Sequence, residues 1–126
     1  MNVPRASRTV LIVDDSVTVR RMVAAVLESA GWPVLVASDG AEALSLLERA
    51  AVGLVITDLN MPEMDGITLI ERLRRLPALA EVPILVLTTE MDEDTKARAR
   101  DAGASGWLGK PVDGRAIADV TAALLE

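Results

Sequence analysis

The stretch Leu54-Val55-Ile56-Thr57-Asp58-Leu59-Asn60-Met61-Pro62-Glu63-Met64-Asp65-Gly66 decides the fold of this chain. Its first four residues are strand-like, they end in one carboxylate, Asp58, and a turn-forming segment follows at once. A carboxylate delivered in that place is a ligand or a nucleophile. Which of the two depends on what the rest of the sequence brings beside it.

Working outward, Val10-Leu11-Ile12-Val13 and Ile84-Leu85-Val86-Leu87 are continuous apolar runs of the same kind, and Val34-Leu35-Val36 and Trp107-Leu108 are shorter ones. Strands that are apolar throughout, instead of alternating with polar residues, are buried on both faces. Helical spacing separates them. Val19, Met22, Val23, Val26, Leu27 and Ala30 share one face and Gly31 stops that helix. Asp39 reads as the N-cap of a second helix, with Glu42 three residues on, and this helix is expected to run to about Ala51. Ile67, Ile70, Leu73 and Leu76 mark a third, ended by Pro77; the segment from Asp92 to Asp101 is a fourth; Ile117, Val120 and Leu124 mark a fifth. The apolar residues of the fourth are mostly alanine, so little area holds it down and it is expected to be the more mobile helix.

Five strands alternating with five helices predict an α/β domain with a doubly wound parallel sheet, strand order 2-1-3-4-5, flavodoxin-like. Residues 1–9 read as a short flexible arm and 10–126 as one domain. Such sheets bind ligands beyond the carboxyl ends of their strands, at the point where the strand order reverses. There the strand ends bring together Asp14 and Asp15, Asp58, Thr88 and Lys110. Crowded carboxylates push one another toward the neutral form unless a cation sits among them. An all-oxygen ligand set with room for water and a phosphoryl group favours Mg2+ over zinc. Lys110 can neutralise a phosphoryl oxygen, Thr88 can donate a hydrogen bond to another, and Asp58, single and central, is the candidate nucleophile for an aspartyl phosphate.

Composition excludes several other chemistries. The 126 residues include no cysteine and no histidine, which removes disulfides, zinc-thiolate sites, thiol nucleophiles and Ser-His catalysis. A net charge of −6 and the lack of a basic patch argue against a nucleic-acid surface. No apolar run approaches the roughly 18 residues that span a bilayer, nothing resembles a signal peptide, and a cytoplasmic location is expected.

VLIVDDS, LVITDLNMPEMDG, ILVLTTE and GWLGKP, in that order and at these separations, strongly resemble the response-regulator receiver family, within it the single-domain CheY type of bacterial chemotaxis. The resemblance runs from Val10 to Leu125. It implies a phosphoprotein of two-component signal transduction that is not an enzyme beyond its own phosphorylation and dephosphorylation. Asp58 would be the phosphoacceptor, Asp14 and Asp15 the acidic pair around Mg2+, and Asn60 would supply a backbone carbonyl to the metal. Thr88 and Lys110 would contact the phosphoryl group, and Lys110-Pro111 would be cis. Trp107 stands where the family carries a switching aromatic residue, usually tyrosine or phenylalanine, and Asn60, Thr89 and Glu90 border the phosphoryl group and bear on its lifetime. The implied partners are a histidine kinase as phosphodonor and a downstream protein such as the flagellar motor switch, with the chain a monomer. A phosphate shuttle or sink and a phosphorylation-independent adaptor are the alternatives.

Three departures stand out. Trp107 is bulkier than the usual aromatic, Gly109 replaces an aliphatic residue, and Val112 stands where phenylalanine is common. A rival of another class, an aspartyl-phosphate phosphohydrolase of the haloacid-dehalogenase kind, needs an aspartate two residues after the nucleophile. Asn60 occupies that position. Each site residue also has a plainer reading: Asp14 and Asp15 as helix caps, Thr88 as a strand-ending hydroxyl, Lys110 as a surface lysine, Trp107 as filler at the sheet edge.

Overall fold

The computed structural model describes residues 7–126. The elements follow one another as β1 (Val10–Val13), α1 (Val17–Ser29), β2 (Val34–Ala37), α2 (Gly40–Leu47), β3 (Leu54–Thr57), α3 (Gly66–Arg75), a 3-10 turn (Pro77–Leu79), β4 (Ile84–Thr88), α4 (Glu93–Ala102), β5 (Gly106–Gly109) and α5 (Gly114–Leu125). All neighbouring strands pair parallel, in the order β2-β1-β3-β4-β5.

The apolar runs have a direct cause. Successive strand side chains point to opposite faces, and both faces are covered. Leu11, Val13, Val55, Ile84 and Val86 belong to one core with Leu69, Ile70 and Leu73 of α3. Val10, Ile12, Leu54, Ile56, Leu85 and Leu87 belong to the other, with Val23 and Leu27 of α1 and Ile117 of α5. A strand clamped between two such layers has no solvent face on which to place a polar residue, so the sequence shows none until the strand ends.

Helix boundaries follow local chemistry. Ser16, Asp39, Asp65, Asp92 and Asp113 cap the five helices, each accepting a hydrogen bond from a backbone N–H of the first turn. At α2 the capping box is displaced by one residue: Asp39 accepts from the Glu42 N–H at 2.8 Å, while Glu42 reaches back to the N–H of Ser38 at 2.6 Å. The sequence places the end of this helix near Ala51, but it closes at Leu47, with the Arg49 N–H bonding to the Leu46 carbonyl in a tight last turn. The residues that follow are needed as a connector, because Gly53 must present its N–H to the Thr9 carbonyl, at 2.8 Å, where β3 joins the sheet. α3 stops at Arg75, since Leu76 precedes Pro77 and adopts an extended conformation.

Residues 1–6 of the expected arm lie outside the described residues. Arg8 stacks its guanidinium 4.4 Å from the centre of the Trp32 ring, which is buried. No helix among the described residues is long and apolar enough to cross a membrane.

Candidate functional site

The strand order reverses at β1, flanked by β2 on one side and β3 on the other. Asp14 and Asp58 directly follow β1 and β3, and the sheet ladder continues into both: Asp14 N–H bonds to the Ala37 carbonyl at 3.1 Å and Asp58 N–H to the Val13 carbonyl at 2.9 Å. The separation of the two carboxylates is therefore fixed by backbone pairing and not by flexible side chains.

Each carboxylate is then oriented locally. Asp14 Oδ1 accepts from the Ser16 N–H at 2.9 Å, and the same serine caps α1. Asp58 Oδ1 accepts from the Leu59 N–H at 2.7 Å, and the Thr57 hydroxyl donates to the Asp58 carbonyl at 2.9 Å. Behind Asp58 the first turn of α3 comes so close that a Cβ on Gly66 would collide with the Asp58 carbonyl oxygen. Glycine there lets the helix press the phosphoacceptor candidate into place.

Lys110 arrives from the end of β5 and is shared by the two carboxylates. Its Nζ lies 2.9 Å from Asp14 Oδ2 and 3.0 Å from Asp58 Oδ2. Its backbone N–H bonds to the Thr88 carbonyl at 2.9 Å, and the Lys110-Pro111 peptide is cis. Burial by itself favours the neutral amine, but the Asp14 and Asp58 carboxylates beside it outweigh that and raise the lysine above its ordinary range. It is an ammonium at any physiological pH.

Asp15 is exposed, yet one of its carboxylate oxygens lies within 4.8 Å of oxygens of both Asp14 and Asp58. Three carboxylates against one ammonium leave two negative charges in a pocket where Asp14 is only 1% exposed. Asp14 Oδ2 is buried and, although the ammonium approaches it, accepts no well-directed hydrogen bond. A surplus of two charges and a buried oxygen without a directed donor fit a hard divalent cation bound by oxygen.

The remaining residues singled out from the sequence fall into two groups. Thr88 is buried at the end of β4, where its Oγ1 accepts from the Glu90 N–H at 3.1 Å and keeps its proton free to donate. Asn60 and Glu90 are exposed and joined at 2.8 Å, Nδ2 to Oε1, which bridges the loops after β3 and β4; Thr89 is exposed in the second of these loops. Trp107 stands apart from the carboxylates. It lies on β5 opposite Val86, half-buried, with Lys96 Nζ and the Arg100 guanidinium each 5.4 Å from its ring centre.

Two arginines were not found from the sequence. Arg20 donates to the Asp14 carbonyl at 2.7 Å and so anchors the turn that carries the acidic pair. Arg74 donates to the carbonyls of Leu79 at 2.6 Å, Val82 at 2.7 Å and Gly103 at 2.8 Å, tying the 3-10 turn to the end of α4. Partial burial lowers its pKa. It lies four residues after the buried Ile70 and is itself half-buried, whereas Arg72 and Arg75 are exposed.

A doubly wound parallel domain with a lysine-bridged acidic pocket at its switch point is a definite class of molecule, and comparisons with known proteins give it a family. The response regulator receiver domain matches residues 10–122. The chemotaxis protein CheY4 of Vibrio cholerae superposes with a TM-score of 0.91 at 38% identity, covering 95% of this chain and 100% of that one. A response regulator protein from Burkholderia multivorans is 48% identical, with a TM-score of 0.80 over 95% of this chain and 96% of its own. An uncharacterized 14.6 kDa protein of Leptolyngbya boryana is 42% identical over 86% of this chain and 82% of its own length. Other curated relatives are longer, and the chain spans 14% of one and 48% of another. The chain belongs to the response regulator receiver domain family of two-component signalling, with the fold of CheY. Proteins of this kind are signalling proteins and not classical enzymes, and they typically carry a phosphorylatable aspartate and bind Mg2+ at acidic residues.

Proposed function

We propose that the chain is a phosphorylation switch in which Asp58 accepts a phosphoryl group from a partner histidine kinase. The observation that carries this reading is the bridge of Lys110 between Asp14 and Asp58, at 2.9 and 3.0 Å. It leaves one nucleophilic carboxylate, one cation for the incoming charge and a net negative pocket at the carboxyl edge. The chain has no histidine, so the phosphohistidine must come from outside.

In the transfer a carboxylate oxygen of Asp58 attacks phosphorus in line, the phosphorus–nitrogen bond breaks, and its electron pair returns to the donor imidazole. Lys110, already oriented by both carboxylates, turns its charge to a phosphoryl oxygen. Thr88 donates its free hydroxyl proton to another. Asp14, Asp15, Asp58 and the backbone of Asn60 would hold Mg2+, which supplies neutralisation of charge on the transferring group. Asn60 and Glu90, joined by a hydrogen bond at 2.8 Å, border the phosphoryl group and bear on how long the phosphate lasts.

The chain acts as a cytoplasmic monomer in chemotaxis, with the flagellar motor switch as its target. The likeness to a chemotaxis protein over the full length of that chain supports this.

The test is incubation with acetyl phosphate and Mg2+, followed by intact mass and by tryptophan emission. Trp32→Phe isolates Trp107, because Trp32 is the one other tryptophan in the sequence. A covalent phosphate is expected that disappears in Asp58→Asn. Phosphate that persists in that variant overturns the assignment of Asp58.

A further inference from the structure

Resting on the reading of the acidic pocket as a Mg2+ site, we propose that Arg20 is a positioning residue for that ion. By clamping the carbonyl of Asp14 from α1, it keeps the carboxylate of Asp15 among the ligands.

Asp15 is the least supported of the three carboxylates. Asp14 is held by the Ser16 N–H and by Lys110, and Asp58 by the Leu59 N–H and by Lys110. Asp15 is exposed, and its carboxylate makes no hydrogen bond or ion pair among the described residues, yet one of its oxygens lies within 4.8 Å of oxygens of both the others. Like charges at that distance push it outward, toward water. Only the main chain on either side resists.

That main chain is what Arg20 grips. The Asp14 carbonyl and the Asp15 N–H belong to one planar peptide unit, so the orientation of the carbonyl fixes the direction in which the chain leaves toward Asp15. Arg20 Nη1 donates to this carbonyl at 2.7 Å, a short bond from a charged donor. Its root is equally firm: the Arg20 N–H bonds to the Ser16 carbonyl at 3.0 Å, and Val23 and Leu27 sink the same helix into the core. On the far side the Asp14 N–H is paired to the Ala37 carbonyl. The turn is thus braced between strand and helix, with the guanidinium spanning it.

The choice of acceptor matters for a cation. A guanidinium readily pairs with a carboxylate, and one paired with Asp15 would compete with the metal. Arg20 forms no ion pair among the described residues and takes the carbonyl instead, which leaves both Asp15 oxygens open. Its charge and its hydrogen bond therefore act on a bound cation with opposite signs: the charge repels it, and the bond arranges its ligands.

That opposition gives a test with a sign. Titration calorimetry with MgCl2 on the full chain compares wild type with Arg20→Met, which keeps an apolar stem and removes both charge and donor. Mg2+ affinity is expected to fall by about tenfold. Removal of a mere nearby charge would strengthen binding, so unchanged or tighter binding overturns the proposal. Arg20→Lys keeps a charged donor and should recover most of the affinity. In an Asp15→Ala background the methionine substitution should cost little more, because the ligand it positions is already gone. Equal losses with and without Asp15 overturn action through that residue.

A metal-free arm reads the clamp directly. The Ser16 amide, bonded to Asp14 Oδ1, should exchange with deuterium about tenfold faster in Arg20→Met while the β3 amides stay unchanged. Wild-type protection of Ser16 in that variant overturns the clamp. Failure of wild type to take up Mg2+ overturns the metal reading of the pocket instead, and this arm still decides whether Arg20 fixes the turn.

Discussion

The strands that deliver the carboxylates and the strand that delivers the lysine are packed to different degrees. Every residue of β1 and β3 is buried, whereas β5 has no fully buried residue. The helices match their strands: α3 presses a row of large side chains into the core, and α4 offers threonine and alanine. The acidic pair must keep its spacing against mutual repulsion, and only a rigid backbone can enforce that. Lys110 needs no such support, because two negative charges hold it. The site thus combines a fixed half with a half that the charges themselves keep in place.

Stability should divide along the same line. Ile56→Ala, in the middle of β3, removes a fully buried side chain between two layers, and a loss of about 3 kcal/mol is expected. Leu108→Ala on β5 starts from a half-exposed side chain and should cost about 1 kcal/mol. Urea denaturation midpoints measure both. Equal losses would break the comparison.

Gly66→Ala probes the fixed half where it touches the site. The added methyl would meet the Asp58 carbonyl and the Leu59 backbone, neither of which is a yielding side chain. Overpacking of this kind costs about 2 kcal/mol, and the displaced carboxylate should take phosphate from acetyl phosphate more slowly. Full stability with slowed phosphorylation would show that the backbone gives way at Asp58 itself.

Most of this architecture was legible because it rests on short-range pattern. Burial on both faces writes itself as Val10 to Val13 and Ile84 to Leu87, and each strand end announces itself with its first polar residue. The four motif segments predicted the gathering of Asp14, Asp58 and Lys110, which the structure brings within 3.0 Å of a shared ammonium. Arg20 and Arg74 escaped because their partners are main-chain carbonyls, which leave no mark in a sequence. The approach of Lys96 and Arg100 to the Trp107 ring, each at 5.4 Å from its centre, joins α4 to β5 and has no mark in the sequence either. The early end of α2 depended on Gly53 meeting Thr9, a pairing distant in the chain.

The loosely held half makes a local prediction. Asp92 caps α4 by accepting from the Thr95 N–H at 2.7 Å. That backbone bond, together with the Thr95 hydroxyl, lowers the carboxyl's pKa. A group depressed in the folded state contributes above its unfolded pKa and loses that contribution as pH falls through the folded value. α4 amides should therefore lose protection at acid pH below the ordinary carboxylate range, ahead of β1 and β3. Asp92→Ala should show the same loss at neutral pH. Uniform loss across the sheet and α4 would mean that the two halves open as one unit.

The smallest effect expected has the opposite sign and lies in the loop after β3. Glu63 has a φ of 69°, and the Met64 N–H bonds to the Pro62 carbonyl at 2.7 Å, so the residue is the centre of a tight γ-turn. A side chain in that region crowds its own carbonyl, by about 1 kcal/mol for an L residue. Glu63 is exposed, and its carboxylate makes no hydrogen bond or ion pair among the described residues, so nothing on the folded side is lost by removing it. Glu63→Gly relieves the crowding but gives the unfolded chain more freedom, which takes back part of the gain. The net expected is a stabilisation below about 1 kcal/mol, read as a raised urea midpoint. Phosphorylation should be unchanged, because the turn is separated from Asp58 by Leu59 and Met61, both buried. A drop in stability would mean that the γ-turn is imposed by the fixed half at no cost to Glu63, and that the rigidity of β3 extends further along the loop than its hydrogen bonds do.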